Sequence, residues 1–246
     1  DEVVVFGYDL GMNHSGGFSQ YIRVPKNWVL KKPSSISFKE VMIYGTAGIT
    51  AALCVDKLLK YGVDKNNGEI LVTGATGGVG LFSIAILSKL GFDVVAVTGK
   101  TKEIEFLKDC GAKSVMSRTE VEDTTGKPLL KPRWNAAIDA VGGNILVSIL
   151  KSLKYGGAVA CCGLAQSPNI HMTVFPFILR GVSLLGVDSV ELPIEKKDEI
   201  LNKIATIYKI ENLDNIYTEI GLEEIKNVVP KILKGEVVGR YLVKID

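Results

Sequence analysis

The stretch Glu69-Ile-Leu-Val-Thr-Gly-Ala-Thr-Gly-Gly-Val-Gly80 sets glycines 74, 77, 78 and 80 between two apolar runs. The run before them, Ile70 to Val72, has strand character; the run after them, Leu81 to Leu90, has helical length. The pattern predicts a strand, a tight turn and a helix N-terminus. A Cβ in such a turn would hold the backbone off any phosphate lying against it, and the turn can demand positive φ. The exposed N–H groups and the positive end of the helix dipole then face an anion. Glycine-rich turns are common, so the sequence that follows matters. A second strand, Asp93-Val-Val-Ala-Val97, ends in Thr98-Gly99-Lys100. This lies about twenty residues past the turn, where a dinucleotide site reads the adenosine ribose.

The cation at that position carries information. A site for NAD usually presents Asp or Glu to the ribose 2′-hydroxyl, whereas a 2′-phosphate is repelled by a carboxylate and needs a cation. The chain supplies Lys100, with Thr98 as a hydroxyl donor, and Arg118 at the end of the next strand, Ser114-Val-Met116. A guanidinium there can reach the adenine edge or the same phosphate.

Composition bounds the rest. With 246 residues, 47% of them hydrophobic, the chain can bury a substantial core. A formal charge of +2 argues against broad non-specific binding to nucleic acid. Gly, Lys and Asp are expected to interrupt every apolar run short of a membrane span. Cys54, Cys110, Cys161 and Cys162 lie in apolar segments without CxxC spacing, which predicts reduced, buried thiols in a cytosolic protein.

The strand and helix patterns alternate. A strand-like Val3 to Phe6 opens the chain directly after Asp1-Glu2, which suggests a start within a domain. The stretches Gly16 to Val24 and Trp28 to Pro33 read as a turn with short antiparallel strands. Ser37 to Tyr44 and Thr46 to Leu59 read as helices. Beyond the glycine turn, helices are expected over Thr101 to Cys110, Asn144 to Leu153 and Ile194 to Tyr208. Strands are expected over Asn135 to Asp139, Gly157 to Cys162 and Val182 to Gly186. Strands alternating with helices predict a doubly wound parallel sheet, a Rossmann domain over residues 45–216. Residues 1–44 and 217–246, ending in the strand Arg240 to Ile245, are expected to form the remainder of a β-rich domain.

Other chemistry finds little support. The turn also fits the TGxxxGxG pattern of short-chain dehydrogenases, but these need a downstream Tyr-x-x-x-Lys. The one such spacing, Tyr61 to Lys65, lies upstream and is interrupted by Gly62. His14 and His171 have no serine, cysteine or carboxylate constellation, and no Cys, His and Glu cluster has zinc spacing. Asp139, at a strand end, reads as a turn or cap residue rather than an acid catalyst.

Several of these segments together resemble one family. Gly16-Gly-Phe-Ser-Gln-Tyr21, Tyr44-Gly-Thr-Ala-Gly-Ile-Thr-Ala-Ala-Leu-Cys54, the glycine turn, Val97-Thr-Gly-Lys100 and Tyr155 to Ala165 are similar to the YhdH/YhfP group of zinc-free medium-chain dehydrogenases/reductases. So are Thr173-Val-Phe-Pro-Phe-Ile-Leu-Arg180, Leu185-Gly-Val-Asp-Ser189 and Gly239-Arg240. Members are named quinone oxidoreductases or NADPH-dependent acrylyl-CoA reductases. The resemblance implies that Thr76, Gly77, Gly78 and Val79 hold the pyrophosphate of NADPH. It assigns Thr98, Gly99, Lys100 and Arg118 to the 2′-phosphate, and Leu164, Ile178 and Ser189 to the nicotinamide half. Gly235 falls at a polar cofactor contact, where a glycine offers only its backbone. It further implies a GroES-like catalytic domain, of which this chain would hold the remainder, and a cytoplasmic homodimer, with the strand near Leu184 pairing edge to edge. The expected reaction is hydride transfer to the activated double bond of an enoyl thioester such as acrylyl-CoA, with a quinone as the competing acceptor. A non-catalytic NADPH-binding fragment or module is the reading of another class. No catalytic side chain can be named from the sequence, because family members carry an N-terminal segment beside the nicotinamide that has no counterpart here.

Overall fold

The computed structural model describes residues 1–245. In chain order the elements are β1 (Val3–Val5), β2 (Val29–Lys31), α1 (Phe38–Tyr61), β3 (Ile70–Val72), α2 (Gly78–Lys89) and β4 (Val94–Thr98). There follow α3 (Ile104–Asp109), β5 (Ser114–Ser117), α4 (Arg118–Val121), β6 (Trp134–Asp139), α5 (Gly143–Ser152) and β7 (Leu153–Cys161). The last are α6 (Phe175–Arg180), β8 (Ser183–Gly186), α7 (Ile194–Ile204), β9 (Tyr217–Gly221), α8 (Ile225–Leu233) and β10 (Arg240–Lys244). They form two compact units, residues 50–187 and residues 1–49 with 188–246.

The central unit is the Rossmann domain predicted by the alternation. Its six-stranded sheet has the order β5-β4-β3-β6-β7-β8, and every pairing is parallel. Strands buried on both faces read as unbroken apolar runs, which is why β3, β4 and β6 show no polar alternation. Trp134 is the largest fully buried side chain. It sits in a cluster with Leu71, Val95, Val97, Ile145, Ile149, Leu150, Leu153 and Val159, which clamps α5 onto the sheet. Burying each of these aliphatic side chains contributes about 1.5–3 kcal/mol before entropy is counted.

In the other unit β1 and β2 pair antiparallel, and β9 and β10 pair parallel. One expectation fails there. Residues 16–24 form no strand despite their alternation, and Phe18, Tyr21 and Ile22 are exposed. Alternation alone does not make a strand, which forms only where another strand completes its N–H and C=O ladder. The C-terminal strand β10 pairs with β9. The sequence places a boundary at 216/217, whereas α7 belongs with residues 1–49. Lys197, fully buried on that helix, donates to the Phe6 carbonyl at 3.2 Å and the Val190 carbonyl at 2.8 Å.

The two helices expected around residue 45 are continuous as α1, with a break at Gly45 where φ is 47°. Among the described residues α1 is long and apolar enough to cross a membrane by length and composition, which corrects the expectation that every apolar run is cut short. Its charges, Lys39, Glu40, Asp56, Lys57 and Lys60, lie towards its two ends, so that an 18-residue window holds no more than two of them. Since 61% of that window is buried within the protein, α1 is built as a core helix.

Candidate cofactor site

The glycine turn follows directly from β3. Gly74 has φ 59°, a conformation that L side chains rarely adopt, and Gly77 N donates to its carbonyl at 2.9 Å. Gly77 then sits in extended conformation at the N-cap of α2, with no side chain capping the helix. The N–H groups of the first turn are therefore left for a ligand. Gly80 packs the helix onto the turn. A Cβ there would collide with the Gly74 carbonyl oxygen and lie 2.7 Å from the Ala75 Cα. Thr76 is buried at the turn, and Gly77, Gly78 and Val79 are half-buried. An uncapped helix start behind a glycine turn is the kind of cradle that suits a phosphate.

This turn stands where the strand order reverses, between β3 and β6, the usual ligand crevice of an open parallel sheet. One carboxylate ties the two strand ends together. Thr73 Oγ1 donates to Asp139 Oδ1 at 2.7 Å, while the Ala140 amide donates back to Thr73 Oγ1 at 3.1 Å. The Gly142 and Val141 amides donate to Asp139 Oδ2 at 2.8 and 3.3 Å. Burial raises the Asp139 carboxyl above its ordinary range, and these bonds pull the other way. Asp139 thus shapes the turn.

Behind it, Cys162 N donates to the Asp139 carbonyl at 2.9 Å, and the Cys54 and Cys162 thiols hydrogen-bond each other. That bond and burial push Cys54 well above the usual thiol range, whereas the same bond lowers Cys162. All four cysteines are free; Cys54 alone is fully buried and the other three are half-buried, which corrects the expectation of four buried thiols.

Of the expected ribose readers, Thr98, Gly99 and Arg118 come together at the end of β4. Thr98 ends β4 with its hydroxyl buried, and Thr98 Oγ1 accepts from the Lys100 amide at 3.0 Å. The neighbouring strand β5 pairs Ser117 with Thr98, so that Arg118 follows immediately beside the same strand end. A Cβ on Gly99 would lie 3.1 Å from Arg118 Nε and 3.2 Å from Cζ, which means that the guanidinium is laid over the glycine. The Ser117 amide donates to Glu120 Oε2 at 2.7 Å and fixes the start of α4, where Arg118 is the first residue. The Arg118 guanidinium and the Thr98 hydroxyl lie at the end of β4, and positions 98–100 hold no carboxylate.

Leu164, beyond β7, and Ile178, on α6, expose 65% and 68% of their surface, so both are available to a ligand. Ser189 and Gly235 belong to the other unit. Ser189 is buried there, and Gly235 ends α8 with φ 69° and open space where a Cβ would be. Sequence reasoning missed two residues of that unit, Lys197 and Arg240. Arg240 Nε is buried without a hydrogen-bond partner among the described residues, and its guanidinium packs against Gly45. The only sequence signal was a basic residue within an apolar terminal strand.

Residues 78–206 match the model of the zinc-binding dehydrogenases. The chain belongs to that family. Within it, acrylyl-CoA reductase AcuI of Ruegeria pomeroyi is 39% identical over 246 residues, all of this chain and 74% of the relative. The Escherichia coli K-12 YhdH structure with bound NADPH superposes with a TM-score of 0.95 at 41% identity, covering 99% of this chain and 75% of that one. The Bacillus subtilis YhfP structure with bound NAD gives 0.96 at 44%, covering 100% and 75%. The resemblance to the YhdH/YhfP group therefore holds along the whole chain. The family's metal has no matching donor set here: among the described residues no three His, Cys, Asp or Glu side chains are grouped to hold one.

Proposed function

We propose that this zinc-binding dehydrogenase family member is an NADPH-dependent oxidoreductase that reduces the activated carbon–carbon double bond of an enoyl thioester of the acrylyl-CoA class. The observation that carries the cofactor choice is the Arg118 guanidinium laid over Gly99, next to Lys100 in sequence, at the strand end where an NAD site would present a carboxylate. Thr76, Gly77, Gly78 and Val79 would hold the pyrophosphate on uncapped α2 amides, and Thr98, Gly99, Lys100 and Arg118 the 2′-phosphate. Leu164, Ile178, Ser189 and Gly235 are carried over as contacts to the rest of the cofactor. Arg240 is added as a cation suited to an anionic ligand, because a buried guanidinium nitrogen left unpaired is costly. When bound, NADPH supplies the hydride. The residues of this chain orient it and, at the 2′-phosphate, select it.

The test is a fluorescence titration with NADPH and, separately, NADH. Each charge-assisted bond contributes about 1.5–3 kcal/mol, so Lys100→Ala should weaken NADPH binding about tenfold or more and leave NADH nearly unchanged. Equal affinity of the unaltered chain for both cofactors would sink the assignment of the 2′-phosphate site. NADPH oxidation with acrylyl-CoA, against a quinone in parallel, then identifies the acceptor. NADPH binding with no turnover of either would identify a binding module. We further infer a cytoplasmic homodimer assembled through the edge strand β8.

A further inference from the structure

Arg118 is followed closely by three carboxylates, Glu120, Glu122 and Asp123. A neighbouring carboxylate is the ordinary partner of an exposed guanidinium, and an arginine already paired in that way is a poor receptor for a phosphate. Each of the three is engaged elsewhere. Glu120 Oε2 accepts from the Ser117 amide and from Ser117 Oγ, both at 2.7 Å. Glu122 Oε1 accepts from Gln166 Nε2 at 3.4 Å, and Asp123 Oδ2 from Lys151 Nζ at 2.6 Å. The Arg118 guanidinium, on an exposed residue laid over Gly99, has no hydrogen bond or ion pair among the described residues. Gly99, Arg118 and the three carboxylates all belong to the unit of residues 50–187.

Glu120 also sets where Arg118 stands. Ser117 ends β5, pairs with Thr98 and is the N-cap of α4. With the Ser117 hydroxyl proton given to Glu120, the Thr119 hydroxyl donates to Ser117 Oγ at 3.0 Å. One carboxylate oxygen thus closes the step from strand to helix. The helix it closes has only four residues, Arg118–Val121, and a helix that short has no stability of its own. Arg133 backs the carboxylate. Its guanidinium lies 4.1 Å over the Trp134 ring and donates to Met116 Sδ at 3.1 Å. The Ser117 hydroxyl and amide, and then the Arg133 charge, hold the Glu120 carboxyl below its usual range.

We propose that Glu120 is a positioning residue for cofactor selection: by closing α4 onto Ser117 it keeps Arg118 over Gly99 and leaves the guanidinium unpaired for the 2′-phosphate. This rests on the assignment of Arg118 to the 2′-phosphate given above.

The test is fluorescence titration with NADPH and NADH, together with competition by adenosine 2′,5′-bisphosphate and by 5′-AMP, which lacks the 2′-phosphate. Glu120→Ala should weaken NADPH and the bisphosphate about threefold to tenfold, the range a lost cap allows, and leave NADH and 5′-AMP within about twofold. Glu120→Gln keeps an oxygen that accepts from Ser117 and should bind NADPH within about twofold of the parent. In an Arg118→Ala background, E120A should have no further effect, because no guanidinium is left to place; a purely structural cap would give the same loss in both backgrounds. A carboxylate that acted only by repelling the phosphate predicts the opposite sign, with NADPH bound more tightly by both E120A and E120Q. Tighter binding, or an E120A loss that persists without Arg118, overturns the proposal. So does a preference for NADPH that R118A abolishes and E120A leaves intact. If E120A does not fold, Ser117→Ala decides: it removes the hydroxyl bond alone and should give a smaller loss, again confined to the ligands with a 2′-phosphate. Equal affinity of the parent chain for NADPH and NADH would overturn the 2′-phosphate assignment itself, and this proposal with it.

Discussion

Gly80 and Gly99 show how a single missing side chain builds a site. At Gly80 an added methyl group would meet backbone, the Gly74 carbonyl and the Ala75 Cα, neither of which can rotate away. Gly80→Ala should therefore cost about 1–3 kcal/mol in denaturant titration through overpacking, and should lower NADPH affinity by tilting α2 off the turn. At Gly99 the added atom would meet the Arg118 guanidinium, a flexible side chain. Gly99→Ala should leave stability within about 0.5 kcal/mol, as surface substitutions usually do. It should nevertheless reduce the preference for NADPH over NADH, because the arginine must move to make room. Paired titrations of the two variants separate a structural glycine from a ligand-shaping one. The sequence marked both as glycines of the motif but did not distinguish them, since the difference lies in what stands opposite.

Among the elements, β3 and β6 depend on one another through Thr73 and Asp139. The hydroxyl both donates to the carboxylate and accepts from the Ala140 amide. Thr73→Val keeps the shape and removes both bonds, leaving a buried carboxylate short of a donor. It should destabilise the chain by about 1.5–3 kcal/mol, read as a lower denaturant midpoint at unchanged m-value. A stability change below about 0.5 kcal/mol would show that the two strand ends are held by other means. Both residues lie at the ends of strands that the apolar pattern placed within a residue or two, yet their partnership spans 66 positions and left no local trace. The reverse happened at residues 16–24, where alternation predicted a strand and the chain forms none.

For the whole molecule, β8 is an outer strand of the six-stranded sheet, with one side unpaired by the sheet. An open edge is a template for another strand, and in the proposed dimer it is covered by its copy. Leu184→Pro removes a ladder donor from β8. It should shift the mass measured by size-exclusion chromatography with light scattering from dimer to monomer; a monomeric parent chain at micromolar concentration would refute the assembly. The sequence by itself determined the order of strand, glycine turn, helix and second strand, the cations at 100 and 118, and the parallel sheet that follows from alternating elements. These are local matters, set by Cβ sterics, strand and helix periodicity and charge at fixed spacing. Only the tertiary structure laid Arg118 over Gly99, tied Asp139 to Thr73, enclosed Lys197 among carbonyls and rings, and left residues 16–24 outside any strand. Each of these depends on segments distant in sequence being folded against one another, and no pattern within a single segment encodes which of them will meet.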